Sequence, residues 1–377
     1  MKNILCLDMD CFFVSVERVL NPGLQKKPVI VGGKPNSRGV VSACSYETRE
    51  FGVHSGMALT IAYQKCPDAI FLMPNFKAYG YYSKLIAKIL KKYIPIVEQA
   101  SVDEFYLDLT GCEGIYGDIF NFTWRLKRYL ETNLKLPMTI GMGTNKHIAK
   151  IASNLAKSQG LLKVLPGEEA LFLGPLPIDF IQGVGKQTKK TLYQSGIRTI
   201  GKLASIPIRD ITKLLGKFGV HLLLKAQGKG SQEFELGRQR KSLGAERTFT
   251  EDTTDLEYIK SKLSHIVEKV CFQLRKEGFK TSCVTFKIRY SDFKTETKRV
   301  TISPTDYNQV IFKTAWGLFE KLYQRRVRIR LIGISLSKLQ KEALTSLFFD
   351  SYKLDNLYQA IDKIKIKHGP MKIHWST

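Results

Sequence analysis

Apolar and polar positions in the first 165 residues predict a small sheet covered by two helices. Alternating or continuous apolar runs indicate strands, whereas apolar positions three and four residues apart indicate helices. In chain order the patterns predict a strand at 3–9, a helix at 79–93, strands at 94–100 and 103–109, a helix at 119–130 and a strand at 138–143. Residues 11–77 are then an insertion with strand candidates at 28–32 and 39–44. Without this insertion the order is β-α-β-β-α-β, a split βαβ sheet with both helices on one face.

The same order of elements occurs again near the C-terminus. Here the patterns predict a strand at 242–249, a helix at 256–274, strands at 281–290 and 297–302, a helix near 308–323 and a strand near 328–337. The two segments do not repeat in sequence, so we predict two separate domains of similar topology. Between them, residues 166–230 are helical and punctuated by glycines, and residues 231–241 are polar enough for a tether.

Composition narrows the class of protein. With 377 residues, 44% of them hydrophobic, the chain can bury real cores, which excludes a disordered basic tail protein. The 59 Lys and Arg residues against 34 Asp and Glu give a net charge of +25. This charge favours a polyanionic partner over a cationic surface kept for solubility.

The spacing of cysteines and histidines indicates whether a zinc site is expected, and the hydropathy pattern indicates the cellular location. The seven cysteines form no CxxC pair and the six histidines are scattered, so we expect reduced thiols and no zinc site. No stretch approaches the ~20 apolar residues of a membrane span, and no targeting segment is visible. We therefore expect a cytoplasmic protein without a membrane partner.

Two acidic pairs lie at the ends of predicted strands. Asp8 and Asp10 are two residues apart, so on a strand they share a face. Asp103 and Glu104 are adjacent and converge only if a turn between two strands lies there. In a split βαβ sheet the first and third strands are central neighbours, which brings both pairs to one edge. Gathered carboxylates favour Mg²⁺, although for either pair alone water-facing acids are the commoner explanation.

Several motifs around these acids resemble the Y-family translesion DNA polymerases, in particular the bacterial DNA polymerase IV branch. The three that carry the resemblance are DMDCFF at 8–13, SYETREFGV at 45–53 and SVDE at 101–104. Further similar segments are GTNK at 143–146 through Lys157, the GVG turn at 183–185 and IRYSDF at 288–293. Together they extend from residue 4 to about 338, nearly the whole chain.

The resemblance implies an α+β, multidomain, right-hand polymerase. Its domains would be a split βαβ palm (1–10 and 78–165), small fingers (11–77), a helical thumb with a helix-hairpin-helix (166–230), a linker (231–241), a βαββαβ little finger (242–338) and a C-terminal tail (339–377). It would add deoxynucleotides to a primer on a template in translesion synthesis and DNA repair, with low fidelity, low processivity and no proofreading domain.

Two other functions are compatible with this fold. One is a catalytically silent DNA-binding relative, and the intact Asp8, Asp103 and Glu104 argue against it. The other is a palm-type nucleotide cyclase, which has no need for the long basic thumb and little finger because a free nucleotide requires no duplex grip.

The resemblance also implies roles at the strand ends. Asp8, Asp103 and Glu104 would be catalytic and would bind two Mg²⁺ ions, for which Mn²⁺ can substitute, and Met9 would add a backbone carbonyl. Asp10 matches the motif, but a structural role is an equal alternative.

Contacts to the incoming deoxynucleoside triphosphate would come from Phe12, Phe13, Tyr46, Arg49 and Lys157. Phe13 falls at the steric gate, where a ring fills the space of a ribose 2′-hydroxyl; an apolar residue at the start of a helix is the alternative. A phenol, a guanidinium and an ammonium suit phosphate oxygens, although solvated surface groups are the alternative for each. Ala43 stands where the family often has Thr, so Ser42 could replace that contact. Phe105 follows the acid pair and could tighten the floor of the site.

Predicted contacts to primer-template DNA lie in the thumb and little finger. The glycines of the 183–185 turn let backbone N–H groups approach a phosphate, although an ordinary tight turn is the alternative. Apolar and basic residues alternate along the strand at 281–290, which gives one basic face, or else a merely solvated one. The candidates are Gly183, Gly185, Lys186, Lys241, Ser242, Arg247, Lys287, Arg289, Arg299 and Arg330.

The C-terminal tail contains one candidate for a protein partner. Leu347 and Phe348 occupy the anchor positions of a degraded sliding-clamp peptide that lacks its initial Gln. A core-packing apolar turn is an equal alternative. We expect the protein to be a monomer.

Overall fold

A computed structural model describes residues 2–237, 239–341 and 350–369 and shows two compact units. The first unit ends at Gly237 and the second follows it. Elements of the first unit are β1 (Ile4–Met9), α1 (Phe12–Leu20), β2 (Val29–Val31), β3 (Ala43–Cys44), α2 (Tyr46–Arg49), α3 (Leu59–Lys65), β4 (Ile70–Leu72), α4 (Phe76–Tyr93), β5 (Ile96–Gln99), β6 (Glu104–Asp108), α5 (Glu113–Tyr116), α6 (Ile119–Leu134), β7 (Met138–Gly143), α7 (Lys146–Leu155), β8 (Leu161–Lys163), α8 (Glu169–Leu173), α9 (Lys186–Gln194), α10 (Ile200–Ala204) and α11 (Ile208–Ala226). Those of the second unit are β9 (Ser242–Thr253), α12 (Leu256–Lys276), β10 (Lys280–Tyr290), β11 (Thr295–Thr305), α13 (Asn308–Leu322), β12 (Ile329–Gln340) and α14 (Asp350–His368).

The main sheet of the first unit has the strand order β5-β6-β1-β7-β8. As predicted, β1 lies beside β6, and β1 is antiparallel to both β6 and β7. Leu5, Leu7 and Met9 of β1 pack with buried residues of α4 and α6 in one core, which confirms that both helices cover one face. The short strand β8, parallel to β7, was not predicted because three residues are too few to show a period.

Helix α7 covers the opposite face of this sheet and approaches it closely. A Cβ atom on Gly141 would lie 2.1 Å from the carbonyl oxygen of Ala149, so only glycine fits there. The close approach places α7 directly over the even-numbered residues of β1, which include Asp8.

The insertion and the region after β8 form two smaller cores. In the insertion, β2 pairs with β3 and with β4, and Ile30, Val41 and Leu59 are buried beneath them. Helices α8 to α11 enclose a separate apolar core. Among the described residues, no helix is long and apolar enough to cross a membrane.

The second unit is a four-stranded antiparallel sheet in the order β11-β10-β12-β9, with α12 and α13 packed on one face. It confirms the predicted α+β class with a separate C-terminal sheet domain. The order of elements along the chain matches the first sheet, but the strand order does not. Here the last strand, β12, lies between β9 and β10, so the similarity of topology does not extend to the pairing.

The predicted tether begins later than expected, because residues 231–236 lie against the first unit. The carbonyl of Ser231 accepts a hydrogen bond from the Lys146 N–H at 3.3 Å, and the Glu235 N–H donates to Glu98 at 2.8 Å. Phe234 packs on the small apolar cluster around Tyr106. These backbone and aromatic contacts hold residues 231–236 against the first unit, although their polar composition predicted a tether.

The predicted C-terminal tail includes a helix that packs on the second unit. The Arg275 guanidinium of α12 donates to both carboxylate oxygens of Asp362 in α14, at 2.7 and 3.0 Å. Lys365 and Glu268 form a buried ion pair at 2.5 Å. Helix α14 is therefore part of the second unit.

Candidate active site

The acidic residues meet at one end of the main sheet. Asp8 on β1 is directly opposite Glu104 on β6, and the Met9 N–H donates to the carbonyl of Asp103 at 3.0 Å. Asp103 lies in the turn before β6, where Ser101 Oγ is 2.5 Å from its carboxylate. The Ser101 hydroxyl also accepts hydrogen bonds from the N–H groups of Asp103 and Glu104. The predicted turn is therefore present, and it places the backbones of Asp103 and Glu104 at this edge of the sheet.

Asp8 and Asp10 are largely buried carboxylates beside a lysine. They are 9% and 8% exposed, and Lys157 Nζ lies 3.9 and 3.8 Å from them. Burial raises the pKa of both carboxyls, and the charge of Lys157 opposes that rise. Asp10 also accepts a hydrogen bond from the Tyr46 phenol at 3.4 Å. Its contacts in this structure therefore link α2 to the end of β1.

Lys150 is a site residue that sequence reasoning missed. It projects from α7 and places Nζ 2.5 Å from Glu104 and 3.3 Å from Asp8. Burial opposes the charged form of Lys150, but neighbouring groups that include Asp8 and Glu104 outweigh it and raise the pKa of Lys150. The sequence feature that could have identified Lys150 is its spacing of four residues from Lys146, because this spacing puts both lysines on one face of a helix.

The donor set fits a hard divalent cation by its chemistry. Carboxylate oxygens of Asp8, Asp103 and Glu104 are the ligands that Mg²⁺ prefers. The Lys150 ammonium between Asp8 and Glu104 shows that this edge already stabilises positive charge. As the side chains stand, however, no group of three acidic, His or Cys residues in the described part of the chain is arranged to hold a metal ion.

A cavity of about 220 Å³ lies beside these acids. It is lined by seven of the predicted site residues, which are Asp8, Met9, Phe12, Phe13, Arg49, Asp103 and Lys157. Cys11 and Ser55, which were not predicted, also line it. Tyr46 lies next to this lining, with the Arg49 guanidinium 4.8 Å over its ring. The structure therefore brings most of the metal and nucleotide candidates together around one space, whereas Glu104 is not part of its lining.

Phe13 is fixed by neighbouring aromatic rings at the start of α1. Its ring stacks on Tyr79 at a centroid distance of 4.2 Å and an angle of 10°, and Phe76 meets it edge-on at 6.1 Å. The Tyr79 hydroxyl donates to Glu17 at 2.5 Å, which holds the stacked ring. Phe12 is 3% exposed and mostly packed in the core. Periodicity could not identify Tyr79, because its partner lies 66 residues earlier in the chain.

Two departures from the family motif have different outcomes. Ser42 and Ala43 both line the cavity, so a hydroxyl is present beside the position where the family often has Thr. The expectation for Phe105 is wrong, because Phe105 pairs with Leu7 and is buried in the core on the helix-covered face. Alternation along β6 turns its side chain to the face opposite that of Glu104.

Four predicted DNA contacts share the open face of the second sheet. Val284, Phe286 and Ile288 are buried against the helices, so alternation puts Lys287 and Arg289 on the other face. Arg299 is opposite Thr285 and belongs to that face. Ser242, at the start of β9, follows the same alternation as Glu246, which forms an ion pair with Lys287.

Arg247 and Arg330 are placed differently. Arg247 is opposite Ile332, so it lies on the helix-covered side of the sheet at an edge strand. The Arg330 guanidinium covers the Phe293 ring at 4.5 Å and lies 3.8 Å from Asp252. Lys241 immediately precedes β9.

The remaining candidates fall in other parts of the chain. Gly183 has a φ of +106°, and Gly185 caps the N-terminus of α9, whose first residue is Lys186. A short 3₁₀ turn at Ile178–Phe180 precedes this hairpin. Leu347 and Phe348 lie outside the described residues.

Comparison with known proteins assigns a family to both parts of the chain. Residues 7–154 match the impB/mucB/samB family, and residues 240–347 match the C-terminal domain of that family. A protein named DNA polymerase IV from Dehalococcoides mccartyi is 39% identical over 371 residues, which cover 98% of this chain and 95% of that protein. Another of that name, from Streptococcus agalactiae, is 36% identical over 90% of this chain and 95% of its own.

Solved structures agree with the sequence matches. A Y-family DNA polymerase chimera of Dbh and Dpo4 superimposes with a TM-score of 0.82 at 28% identity, covering 90% of this chain and all of the chimera. An insertion ternary complex of Dbh DNA polymerase gives a TM-score of 0.64 at 28% identity, with 89% and 98% of the two chains covered.

Proposed function

Because this chain belongs to the Y-family DNA polymerases, we propose that it extends a primer by phosphoryl transfer supported by two Mg²⁺ ions. It is a DNA-directed DNA polymerase of the translesion class. The observation that carries the proposed mechanism is the cavity in which Asp8, Asp103, Phe13, Arg49 and Lys157 meet. We expect low fidelity and low processivity, and a role in DNA repair.

Asp8, Asp103 and Glu104, with the backbone carbonyl of Met9, would hold the metal ions. Polymerases of this family need divalent metal ions, and the hard oxygen donors of this edge favour Mg²⁺, with Mn²⁺ as a substitute. When bound, two such ions activate the attacking hydroxyl and stabilise the leaving phosphate oxygens. The strand pairing of Asp8 with Glu104 and the turn at Ser101 bring the backbones of these residues to one edge of the sheet, which supports this proposal.

Three side chains would bind the incoming triphosphate. Arg49 and Lys157 line the cavity with positive charge, and Tyr46 supplies a phenol donor beside them. Burial raises the pKa of Tyr46, which keeps its hydroxyl protonated and able to donate to a phosphate oxygen. Phe13, held by Tyr79, would exclude a ribose 2′-hydroxyl.

Membership of the family supports a proposed division of the chain into domains. We propose a palm at 1–10 and 78–165, fingers at 11–77, a thumb at 166–230, a linker within 231–241 and a little finger at 242–338, followed by the tail at 339–377. DNA is the partner of this polymerase class. The Gly183–Gly185 turn with Lys186 and the open face of the second sheet would contact phosphates, which position a protein without reading sequence.

Further proposals concern assembly and location. We expect a monomer that acts in the cytoplasm, where its DNA substrate lies. The segment with Leu347 and Phe348 would bind a sliding clamp, because adjacent apolar anchors in a polar stretch are suited to a partner's pocket. A clamp would raise the effective concentration of a weakly held polymerase on DNA.

Primer extension is the direct test of this function. A labelled primer on a template should be extended by single deoxynucleotides only when Mg²⁺ or Mn²⁺ is present. An abasic site in the template then tests bypass. Failure to extend the undamaged template with any divalent ion would contradict the assignment of the cavity as a polymerase active site.

A further inference from the structure

Lys150 lies between two of the proposed metal ligands. Its ammonium contacts Glu104 at 2.5 Å and Asp8 at 3.3 Å, and its side chain is 13% exposed. The close approach of α7 at Gly141 fixes the helix over these acids. The contacts of Lys150 are therefore built into the packing of α7 on the sheet.

We propose that Lys150 is an internal counter-cation that holds Asp8 and Glu104 together before metal binds and competes with the metal for their oxygens. This inference rests on the proposed function of the acids. Two neighbouring carboxylates repel each other when both are ionised, and one ammonium between them offsets that repulsion. Lys150 is a positioning residue, since it acts through Asp8 and Glu104.

The competition has a consequence for the order of binding. A divalent ion that takes the oxygens of Asp8 and Glu104 must displace the ammonium from at least one of them. In the absence of nucleotide this displacement weakens metal binding. A triphosphate adds negative charge to the same cavity, so the ions are bound more tightly with the nucleotide than before it.

Lys146 provides a matched control within the same helix. It lies one turn before Lys150, is 16% exposed, and pairs with Glu98 rather than with a proposed metal ligand. If Lys150 only anchored α7 to the sheet, removing the charge at position 150 would affect metal affinity no more than removing it at position 146. Metal affinity separates the two roles.

The experiment is a Mn²⁺ titration of the full chain without nucleotide, followed by the electron paramagnetic resonance signal of free Mn²⁺. Lys150→Met should bind Mn²⁺ about tenfold more tightly than wild type, because one competing charge is removed. Lys146→Met and the charge-preserving Lys150→Arg should bind as wild type does. Unchanged or weaker binding by Lys150→Met overturns the inference.

Asp103→Ala distinguishes this failure from failure of the metal site itself. If Asp103→Ala binds Mn²⁺ as wild type does, the proposed metal site is wrong and the Lys150 inference falls with it. If Asp103→Ala loses binding while Lys150→Met is unchanged, only the Lys150 inference is wrong.

A second measurement uses wild-type protein and does not depend on how a variant folds. Reductive methylation read by mass spectrometry should label Lys150 several-fold faster at saturating Mg²⁺, because the displaced ammonium is released, while Lys146 labelling stays constant. Equal labelling of Lys150 with and without Mg²⁺ overturns the proposal.

Discussion

Glu246 reduces the positive charge of the open face of the second sheet. It lies in a cross-strand row with Gly333 and Lys287, and its carboxylate pairs with the Lys287 ammonium across the glycine. A Cβ on residue 333 would come within 2.6 Å of Glu246 Cγ, so glycine there admits the crossing side chain. We predict that Glu246→Gln strengthens binding to primer-template DNA.

The magnitude follows from the charge that becomes available. The pair is partly exposed, with side-chain exposures of 33% for Lys287 and 44% for Glu246, so breaking it costs little stability. If Lys287 then neutralises one more phosphate, the slope of log affinity against log salt steepens by about 0.9. At 0.1 M salt this amounts to roughly eightfold tighter binding, and the difference vanishes near 1 M.

Fluorescence anisotropy of labelled DNA with the full chain, from 0.05 to about 0.5 M salt, measures both quantities. Glu257→Gln is the control, because Glu257 lies in the first turn of α12, the helix on the covered side of the sheet. Equal affinity and equal slope for Glu246→Gln and wild type would show that the open face does not contact DNA.

Three other predictions test separate parts of the molecule. Phe13→Ala should raise ribonucleotide insertion by about 100-fold relative to deoxynucleotide insertion in single-turnover assays, and unchanged discrimination would make Phe13 only a packing residue. His147 is 4% exposed and its ring nitrogens have no hydrogen-bond partner within the described ranges; burial lowers its pKa to about 4 from 6.5. Because the unfolded chain takes up this proton below its ordinary pKa and the folded chain does not until about pH 4, stability should fall by about 2 kcal/mol between pH 7.5 and 5. Urea unfolding should show that loss reduced in His147→Leu, and an equal pH dependence would contradict the assignment. The double variant Leu347→Ala/Phe348→Ala should keep clamp-free extension and lose stimulation by the organism's sliding clamp; loss of thermal stability instead would mean that the pair packs in the core.

Sequence patterns predicted the strands and helices of both sheets because each element carries its own period. The neighbouring placement of β1 and β6, and with it the meeting of Asp8 and Glu104, followed from the split βαβ order alone. Strand order in the second sheet did not follow, because periodicity fixes which face is apolar and leaves the pairing partner open. For this reason the sequence predicted DNA contacts for both Arg247 and Lys287, although the strand register puts Arg247 on the helix-covered face of the sheet.

Residues that act between elements were beyond the reach of sequence patterns. Lys150 reaches the acids only because Gly141 lets α7 approach the sheet, and Tyr79 supports Phe13 across the first core. The prediction that Phe105 tightens the floor of the site was wrong for a different reason, since the sequence did contain the information needed to place it. Its alternation with Glu104 already predicted that it faces the core.

Single-nucleotide insertion by Asp103→Ala shows whether this edge of the sheet is the catalytic metal site. Asp108→Ala is the control, because Asp108 is the last residue of β6, at the end of that strand away from Asp103 and the cavity. Both variants should bind primer-template DNA with affinity close to that of wild type. Asp108→Ala should insert deoxynucleotides, whereas Asp103→Ala should insert none at any Mg²⁺ concentration. Insertion by Asp103→Ala at a rate near that of wild type would contradict the assignment of this sheet edge as the catalytic metal site.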